Sequence, residues 1–455
     1  MNDEIKELAE KNFKRITYIM TESLTKAQVI DLIKKMIKAG IKNADELKNE
    51  FYMQIIKQIR NNTSAESQYQ GWAILASYAC FFAPSEDLCH PILNYLKFIA
   101  NNHPDDEIQV WARFSFSRIL NCFVAGPRLT LASTFELEYI RDHRKIPFTI
   151  SFFTGGCIEV FVENYQTVGD LKDIVMEKLG LDKEKRALFG FMEQTFRPDR
   201  IEECFVEDFV NVCDIISSWE HESYFYRKTN GGTPYNATFK LMFKLKHVFP
   251  LEEGSNMEMN IHYNESCYLF RNLHYESSYD DLITACALDL QIRCGDWNED
   301  LQTYIVVNYY DRISNFRCKF EEERTEEQLI EALSEKYQSF SGKKRNEAKQ
   351  EMIDLVKNYD KMGYVFFNVK IQESNNLDEE LPERMIVGLR EDGMTFFNSH
   401  YELVKKMNYN EIFKWGYSET TMVLLYGTEE SPSKLVFRTF QGTALVHTMT
   451  SFVGL

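Results

Sequence analysis

The chain is 455 residues long and carries 52 Lys and Arg against 69 Asp and Glu, for a formal net charge of -17. This length exceeds what one hydrophobic core usually serves and predicts about two to four domains. The acidic balance argues against a broad nucleic-acid or anionic-membrane surface, so we expect no nucleic-acid partner and only local electrostatic contacts. Apolar residues make up 44% of the chain, yet no apolar run approaches the roughly 20 residues that a membrane-spanning helix needs.

No pattern of catalytic or metal-binding residues stands out. The ten cysteines are scattered without a C-x-x-C pair, and the nine histidines form no H-E-x-x-H motif. Neither of the glycine-rich motifs that cradle nucleotide phosphates occurs, so an ATPase motor, if there is one, lies outside this chain. We therefore expect a non-catalytic protein with no cofactor and no metal, in a reduced, cytoplasmic setting.

Helices are predicted from the N-terminus to about residue 140. Apolar residues recur on one face at 29, 30, 32, 33, 36 and 37, the spacing of an amphipathic helix. Pro84, Pro91, Pro104 and Pro127 are predicted to lie at helix boundaries, because proline breaks a helix interior. The helical pattern starts at once, from residue 2, which suggests either a short protein or a fragment of a longer one.

At Lys145 the apolar period changes from helical to alternating. Residues 146–152 and 158–162 alternate around a Gly155-Gly156 turn and predict a β-hairpin. Thr167 and Asp170 have the spacing of a capping box before a helix that ends at Gly180. A strand at 187–191 follows, and this order is typical of a ubiquitin-like β-grasp lobe.

The C-terminal half predicts a second helical bundle and then a β-rich lobe. A strand at 239–243 precedes helical spacing from about 257 to 359, with a loop at 341–344. Strands are predicted at 384–389, 394–397, 422–425 and 435–437. A closing amphipathic helix carries an apolar stripe made of Leu445, Val446, Met449, Phe452 and Val453. Strands capped by one helix indicate a pleckstrin-homology-like sandwich.

Several stretches carry a resemblance to a known tandem of domains. Residues 46–59, 71–75 and 81–85 resemble the myosin tail homology 4 (MyTH4) domain, and residues 125–128 with 136–140 resemble its junction with a following FERM domain. Residues 288–296 resemble the central helices of the second FERM lobe, and residues 364–367 resemble the start of the third. The resemblance covers essentially the whole chain.

This resemblance implies a multidomain α+β fold. It places an all-α MyTH4 bundle at residues 1–143, a ubiquitin-like first FERM lobe at 144–250, a helical second lobe at 251–362 and a pleckstrin-homology-like third lobe at 363–455. Tails of unconventional myosins of classes seven, ten or fifteen are the first expectation. A kinesin-like motor tail that binds microtubules and a talin-like adhesion scaffold without a motor remain open alternatives.

The resemblance also implies a function. It predicts a non-catalytic adaptor that couples an actin-based motor to cargo or adhesion-receptor peptides, at the cytoskeleton and cell cortex and at filopodia tips. Residues 1–60 hold twelve Lys and Arg against nine Asp and Glu, and basic faces of the MyTH4 module are implicated in microtubule binding. The predicted basic surface consists of Lys34, Lys35, Lys38, Lys42, Lys48, Lys57 and Arg60. The alternative is a solvated helix face.

Two further sites follow from the resemblance to FERM domains. A groove beside the last helix of the third lobe would accept a partner peptide. Its predicted members are Ile412, Trp415, Tyr417, Val446, His447, Thr450 and Ser451, of which the apolar ones could instead be core. An Arg-x-x-Lys pair that contacts the motor head in class-seven tails is matched only at Lys434, because Ser431 stands at the first position. Arg438 is a candidate substitute.

Phosphoinositides are a weaker expectation. Ezrin-like FERM domains bind them between the first and third lobes, but the acidic charge of this chain works against membrane contact. We expect Arg141, Arg144 and Lys145 at the domain junction to form intramolecular pairs with the acidic lobes.

Overall fold

The structure is a computed structural model of the chain. It describes residues 3–128, 130–153, 155–196, 201–229, 238–246, 256–272, 278–300, 325–357, 359, 363–375, 381–399, 401–418, 420–428, 431–439 and 441–453.

The N-terminal region is helical, as predicted. Its helices are α1 Asp3–Thr21, α2 Lys26–Lys42, α3 Asp45–Ile59, α4 Ala65–Ala79, α5 Glu86–Asn102, α6 Asp106–Ala125 and α7 Thr134–Arg141. Polar caps fix several of their starts: Thr25 and Gln28 form a capping box on α2, and Asp105 caps α6. The prediction for Pro91 is wrong, because it is the sixth residue of α5, where the helix forgoes one hydrogen bond.

Helix α4 is the centre of this bundle. It is buried along its whole second half, and its Trp72 and Tyr78 side chains are almost fully enclosed. Tyr78 packs against Phe51 and Phe82 with ring centroids 5.6 and 5.4 Å apart. The Tyr78 hydroxyl donates to the Asn12 amide oxygen over 2.9 Å, which satisfies both of these buried polar atoms.

A five-stranded sheet follows, in the order β2-β1-β5-β3-β4. Its strands are β1 Ile146–Ser151, β2 Cys157–Val162, β3 Phe189–Phe196, β4 Ile201–Val206 and β5 Thr238–Leu245, with helices α8 Val168–Leu179 and α9 Val212–Thr229. The capping box at Thr167 and Asp170 is confirmed by reciprocal hydrogen bonds. The predicted strand at 187–191 begins only at Phe189, because residues Lys183–Leu188 form a 3-10 turn.

The second bundle and the third lobe also match the prediction. The bundle contains α10 Asn256–Asn272, α11 Tyr279–Cys294, α12 Glu326–Ser339 and α13 Arg345–Lys357. The third lobe has a sheet in the order β10-β11-β12-β6-β7-β8-β9. Its strands are β6 Val365–Asn375, β7 Arg384–Arg390, β8 Gly393–Phe397, β9 Leu403–Met407, β10 Ile412–Tyr417, β11 Thr421–Thr428 and β12 Ser431–Arg438, and helix α14 is Gly442–Val453.

Helix α14 packs on the third-lobe sheet through most of the predicted stripe. Leu445, Val446, Met449 and Phe452 are buried in one core with Met422 and Leu424 of β11. Val453 was predicted to join this stripe, but its side chain is exposed, because the helix turns it toward solvent at its last residue. A second side of α14 faces β4, where the Phe205 N–H donates to the Thr448 hydroxyl and the rings of Phe205 and Phe452 lie 5.7 Å apart. The helix is therefore packed on two sides, and His447 and Thr450 are among the residues that stay partly exposed.

The chain divides into two compact units. The first comprises Met1–Phe148, Glu159–Leu171 and Asp208–Ala237, and the second comprises Thr149–Ile158, Lys172–Glu207 and Thr238–Leu455. The first unit thus takes in segments beyond the predicted MyTH4 boundary at residue 143. The predicted boundaries at residues 250 and 362 fall outside the described residues. Within the described ranges, none of the helices combines the length and the apolar character needed to cross a bilayer.

Candidate peptide groove and basic surface

Strand β10 forms one edge of the third-lobe sheet. It pairs with β11 on one side, and no described strand pairs with its other side. An unpaired edge presents a row of backbone N–H and C=O groups to an incoming strand. The chain thus has an open backbone edge where the groove was predicted.

A β-bulge sets the direction of the side chains on this edge. Ile412 lies opposite Tyr426 and Lys414 lies opposite Leu425, so Phe413 is the extra residue in β10. Beyond the bulge, Trp415 faces Leu424 and Tyr417 faces Met422. Because directly opposite residues share one face of a sheet, both aromatic side chains lie on the side of the sheet that α14 covers.

These two aromatic residues remain accessible although they lie on the covered side. The exposed fraction is 37% for Trp415 and 52% for Tyr417, whereas their partners on β11 are fully buried. Gly416, between them, has open space around the position of a side chain. The edge of the sheet therefore carries an aromatic rim rather than a closed core.

Helix α14 supplies the polar members of the groove. His447 and Thr450 are partly exposed and lie three residues apart, on neighbouring positions of one helix side. The Thr450 hydroxyl donates to the carbonyl oxygen of Val446 over 2.8 Å, which fixes its orientation. Val446 and Ser451 are buried, and the Ser451 hydroxyl donates to the Thr448 carbonyl.

The structure therefore sorts the predicted groove into two sets. Trp415, Tyr417, His447 and Thr450 are accessible, whereas Ile412, Val446 and Ser451 lie in the core. Sequence reasoning omitted Phe413, whose ring is 39% exposed next to the same edge. The alternation of residues 412–417 gave no sign of the bulge, and only the register with β11 reveals it.

The predicted basic surface of the first unit is also divided. Lys34 is bound to Glu220 of α9 over 2.5 Å and to the Thr134 hydroxyl over 2.7 Å. Lys35 pairs with Asp31, and Lys48, which is largely buried, pairs with Asp45. These three cations are thus engaged within the chain.

The remaining four cations of this set are different. Their side chains are exposed, and none forms an ion pair with any described residue. They are Lys38, Lys42, Lys57 and Arg60. Their charge is available to an acidic partner, at short range and in competition with dissolved ions.

The motor-contact candidates lie on strand β12. The Lys434 ammonium is 2.8 Å from a carboxylate oxygen of Glu373, and both side chains are half exposed. Arg438 is exposed at the end of the strand, opposite Thr421. At the domain junction, Arg144 pairs with Asp142 and Lys145 lies 3.9 Å from Glu163.

The described residues include histidines, carboxylates and cysteines, the side chains from which a metal site or a reactive thiol is built. No group of three or more His, Cys, Asp or Glu side chains in these ranges could hold a metal ion. The nine described cysteines are free, and burial raises the pKa of Cys80 and Cys213 far above the range of a reactive thiolate.

Comparison with known protein families identifies the domains. The MyTH4 domain matches residues 33–139, an RA like domain matches residues 144–247, and the FERM central domain matches residues 253–367.

The curated relatives of the chain are cytoskeletal motors. A kinesin-like protein of Arabidopsis thaliana, KIN-14E, is 25% identical over 86% of this chain and 31% of its own length. Unconventional myosin heavy chain 6 of Caenorhabditis elegans is 23% identical over 90% of this chain and 19% of its own length. The chain therefore spans less than a third of either relative.

Solved structures share the whole architecture. The MyTH4-FERM MF1 domain of Dictyostelium discoideum myosin VII superposes with a TM-score of 0.78 at 18% identity, covering 100% of this chain and 89% of that one. The C-terminal MyTH4-FERM domain of human myosin 7b, in complex with the harmonin-a PDZ3 domain, gives 0.73 at 18% identity, covering 98% and 88%.

The matches to the MyTH4 domain and the FERM central domain, together with solved MyTH4-FERM structures that superpose on the chain, show a MyTH4 domain followed by a FERM domain. The predicted tandem and the α+β fold class are confirmed, and so is the resemblance to the tails of unconventional myosins.

Proposed function

We propose that this chain is the cargo-binding and cytoskeleton-linking tail of an unconventional myosin, and that it binds partner peptides along strand β10 beside α14. The observation that supports this most directly is the open edge of β10 with its accessible Trp415 and Tyr417. Four domains with boundaries near residues 143, 250 and 362 would then form the tail. The cell cortex and filopodia tips are its proposed locations.

The groove fits a peptide that adds as a strand. Main-chain hydrogen bonds to β10 would supply affinity, and alternate side chains of the peptide would reach the aromatic rim. His447 and Thr450 would then contact the peptide from the helix side. An adhesion-receptor or cargo tail that is extended and carries apolar residues at alternate positions matches this surface.

A peptide-selection experiment tests this proposal. Peptides would be selected on the full chain from a displayed library, and their affinity measured for Trp415→Ala, Tyr417→Ala and His447→Glu. We expect losses of about tenfold or more, since buried aromatic anchors dominate such interfaces. Phe98→Ala, which removes an exposed ring from the first unit, should leave affinity unchanged. Peptides that bind equally to all four variants would place the groove elsewhere.

Microtubule binding through the first unit is the second candidate. It is favoured by the four exposed cations without an ion pair among the described residues, and by the kinesin-like relative. Co-sedimentation with microtubules across a salt series should show binding that weakens steeply with salt. Lys38→Glu with Lys42→Glu should abolish it, whereas Lys11→Glu with Lys97→Glu, an equal charge change on α1 and α5, should not. Salt-independent binding would contradict this mechanism.

Contact with a motor head is a further part of the proposal. Lys434 and Arg438 would meet an acidic surface of the motor and silence it, and Glu373 would compete for Lys434. Adding the chain to the ATPase assay of a class-seven motor tests this. Inhibition that disappears in Lys434→Glu would support the contact, and no inhibition by the unmodified chain would remove it.

A further inference from the structure

A cavity of about 470 Å³ lies in the second unit, and none of its lining residues belongs to the proposed peptide groove. Its walls come from the turn between β1 and β2, from β5, and from helices α10 and α13. The walls are mostly apolar and include Phe152, Phe243 and Ile261, of which Phe243 and Ile261 are buried. This volume and lining are typical of a site for a small ligand.

Two cations of helix α13 reach this cavity. Arg345 and Lys349 are four residues apart, so they lie one turn above each other on one face of the helix. Only 6% of Lys349 is exposed. Its ammonium donates to the amide oxygen of Asn260 and lies 5.9 Å from the centre of the Tyr263 ring.

No described carboxylate forms an ion pair with Lys349. A buried ammonium whose hydrogen-bond partner is a neutral amide is costly, because its charge has left water without a counter-charge. Burial and the nearby Arg345 accordingly lower the pKa of Lys349. An anion in the cavity would supply the missing charge.

Arg345 is placed unfavourably for stability alone. It is the first residue of α13, where the helix dipole favours anions and opposes cations. It is exposed and makes no ion pair with any described residue. A cation in this position is explained if its partner is a bound anion at the cavity mouth.

One acidic group also lines the cavity. Glu265 accepts a hydrogen bond from the backbone N–H of Leu245, and its carboxylate lies 4.0 Å from the Lys244 ammonium. Burial raises the pKa of Glu265 to about 7, so a large share of this side chain is neutral at physiological pH. It therefore opposes an anion only weakly, and the net charge facing the cavity remains positive.

We propose that this cavity binds an amphipathic anion, with its acidic headgroup between Arg345 and Lys349 and its apolar body against Phe152, Phe243 and Ile261. A carboxylate and a phosphate monoester both satisfy the two cations, and an alkyl chain of about a dozen carbons fits the volume. Neither the partner peptide nor the microtubule contact is needed for this site.

Titration calorimetry on the full chain tests the proposal with dodecanoate and dodecyl phosphate, below the concentrations at which they form micelles. We expect saturable 1:1 binding of at least one of these two anions, and the anion that binds more tightly identifies the preferred headgroup. Dodecanol should bind at least tenfold more weakly, and acetate should not bind measurably. No saturable binding of either anion, or equal affinity for dodecanol, would overturn the proposal.

Variants of α13 separate a ligand site from a structural lysine. Lys349→Met should lower the affinity at least tenfold and raise the melting temperature of the free chain, because it removes an uncompensated buried charge. Arg345→Gln, a surface change that leaves the core intact, should lower affinity at least threefold. Lys357→Met, at the exposed far end of α13, is the matched control and should change nothing. Unchanged affinity in Lys349→Met and Arg345→Gln would refute the site.

Discussion

At the scale of single residues, Arg128 has the most consequential contacts of the first unit. Its guanidinium donates to the carboxylates of Glu136 and Asp214 and lies 4.9 Å from the centre of the Phe81 ring. Glu136 is completely buried, and burial raises its pKa against the opposing effect of Arg128. Glu136 depends on Arg128 for a counter-charge.

We expect Arg128→Met to destabilise the first unit by about 3 to 5 kcal/mol, because it leaves the Glu136 carboxylate buried without a partner. Equilibrium denaturation followed by helical circular dichroism measures this loss. Arg144→Met, which removes an exposed pair with Asp142, should cost about 1 kcal/mol or less. Equal losses in the two variants would mean that the buried ion pair stabilises the first unit no more than the exposed pair does.

Glu265 predicts how stability depends on pH. In the folded chain, burial raises the pKa of Glu265 from its ordinary value of 4.5 to about 7. Lys244 and the Leu245 N–H favour the charged carboxylate and oppose this rise only in part. The folded state thus holds a proton that the unfolded state has released. The stability that Glu265 contributes is therefore fully present below about pH 4.5. It is lost as the pH rises through about 7, and the free energy of unfolding falls by up to roughly 3 kcal/mol in total.

Glu265→Gln should remove this pH dependence. Between pH 5 and pH 8, the melting temperature of the variant should fall less than that of the unmodified chain, since an amide does not titrate. Glu331→Gln, on the exposed face of α12, serves as the control and should keep the original slope. If Glu265→Gln keeps that slope too, another group is responsible for the titration.

At the scale of elements, close helix packing in the first unit depends on glycine. A side-chain carbon added to Gly71 of α4 would lie 2.4 Å from Ile59 of α3 and 3.0 Å from Met20 of α1. Real carbon atoms do not approach so closely, so the three helices meet at a distance that only glycine permits. Gly71 belongs to the stretch that carries the resemblance to the MyTH4 domain.

We expect Gly71→Ala to destabilise the first unit by about 1 to 3 kcal/mol, although alanine is the better helix former by nearly 1 kcal/mol. Chemical denaturation of a double-mutant cycle with Ile59→Ala measures the clash. In the Ile59→Ala background the added methyl group should cost little, since the nearer obstacle has gone and the end of the flexible Met20 side chain can shift. An equal cost in both backgrounds would locate the strain elsewhere.

Whether an element could be predicted from the sequence depends on how close together in the sequence its determining residues lie. The capping box at Thr167 and the helix α2 were predictable, because both depend on residues within a few positions of one another. The bulge at Phe413 depends on the register with β11, and the burial of Ser451 depends on which way α14 turns. Both features depend on tertiary contacts, and the spacing of residues within one segment of the sequence does not reveal such contacts.

At the scale of the whole molecule, the order and class of the lobes followed from the sequence, whereas the extent of the first unit did not. Lys34, Arg118 and Arg128 of the helical region bind Glu220, Glu163 and Asp214, which lie well beyond residue 143. Pairs so distant in sequence leave no periodic signal. The prediction of Lys34 as part of a basic surface did not include its pair with Glu220 for this reason.

A fragment ending at residue 143 should therefore be less stable than the same helices in a longer chain. Without these three carboxylates, we expect backbone amides of α6 and α7 to exchange with solvent at least tenfold faster. Hydrogen exchange measured by mass spectrometry on fragments 1–143 and 1–229 makes the comparison, since the longer one retains the partners. Equal protection in both would show that the helical bundle is complete at residue 143.

The discontinuity of the first unit also bears on its synthesis. The ribosome releases Arg128 long before Asp214, which lies 86 residues further along. At about 5 to 20 residues per second, the nascent helices wait roughly 4 to 17 s for that carboxylate. During this interval Arg128 has its ion pair with Glu136 but not the one with Asp214. A chaperone that shields this junction would then act on a bundle that is folded but still lacks the second ion pair.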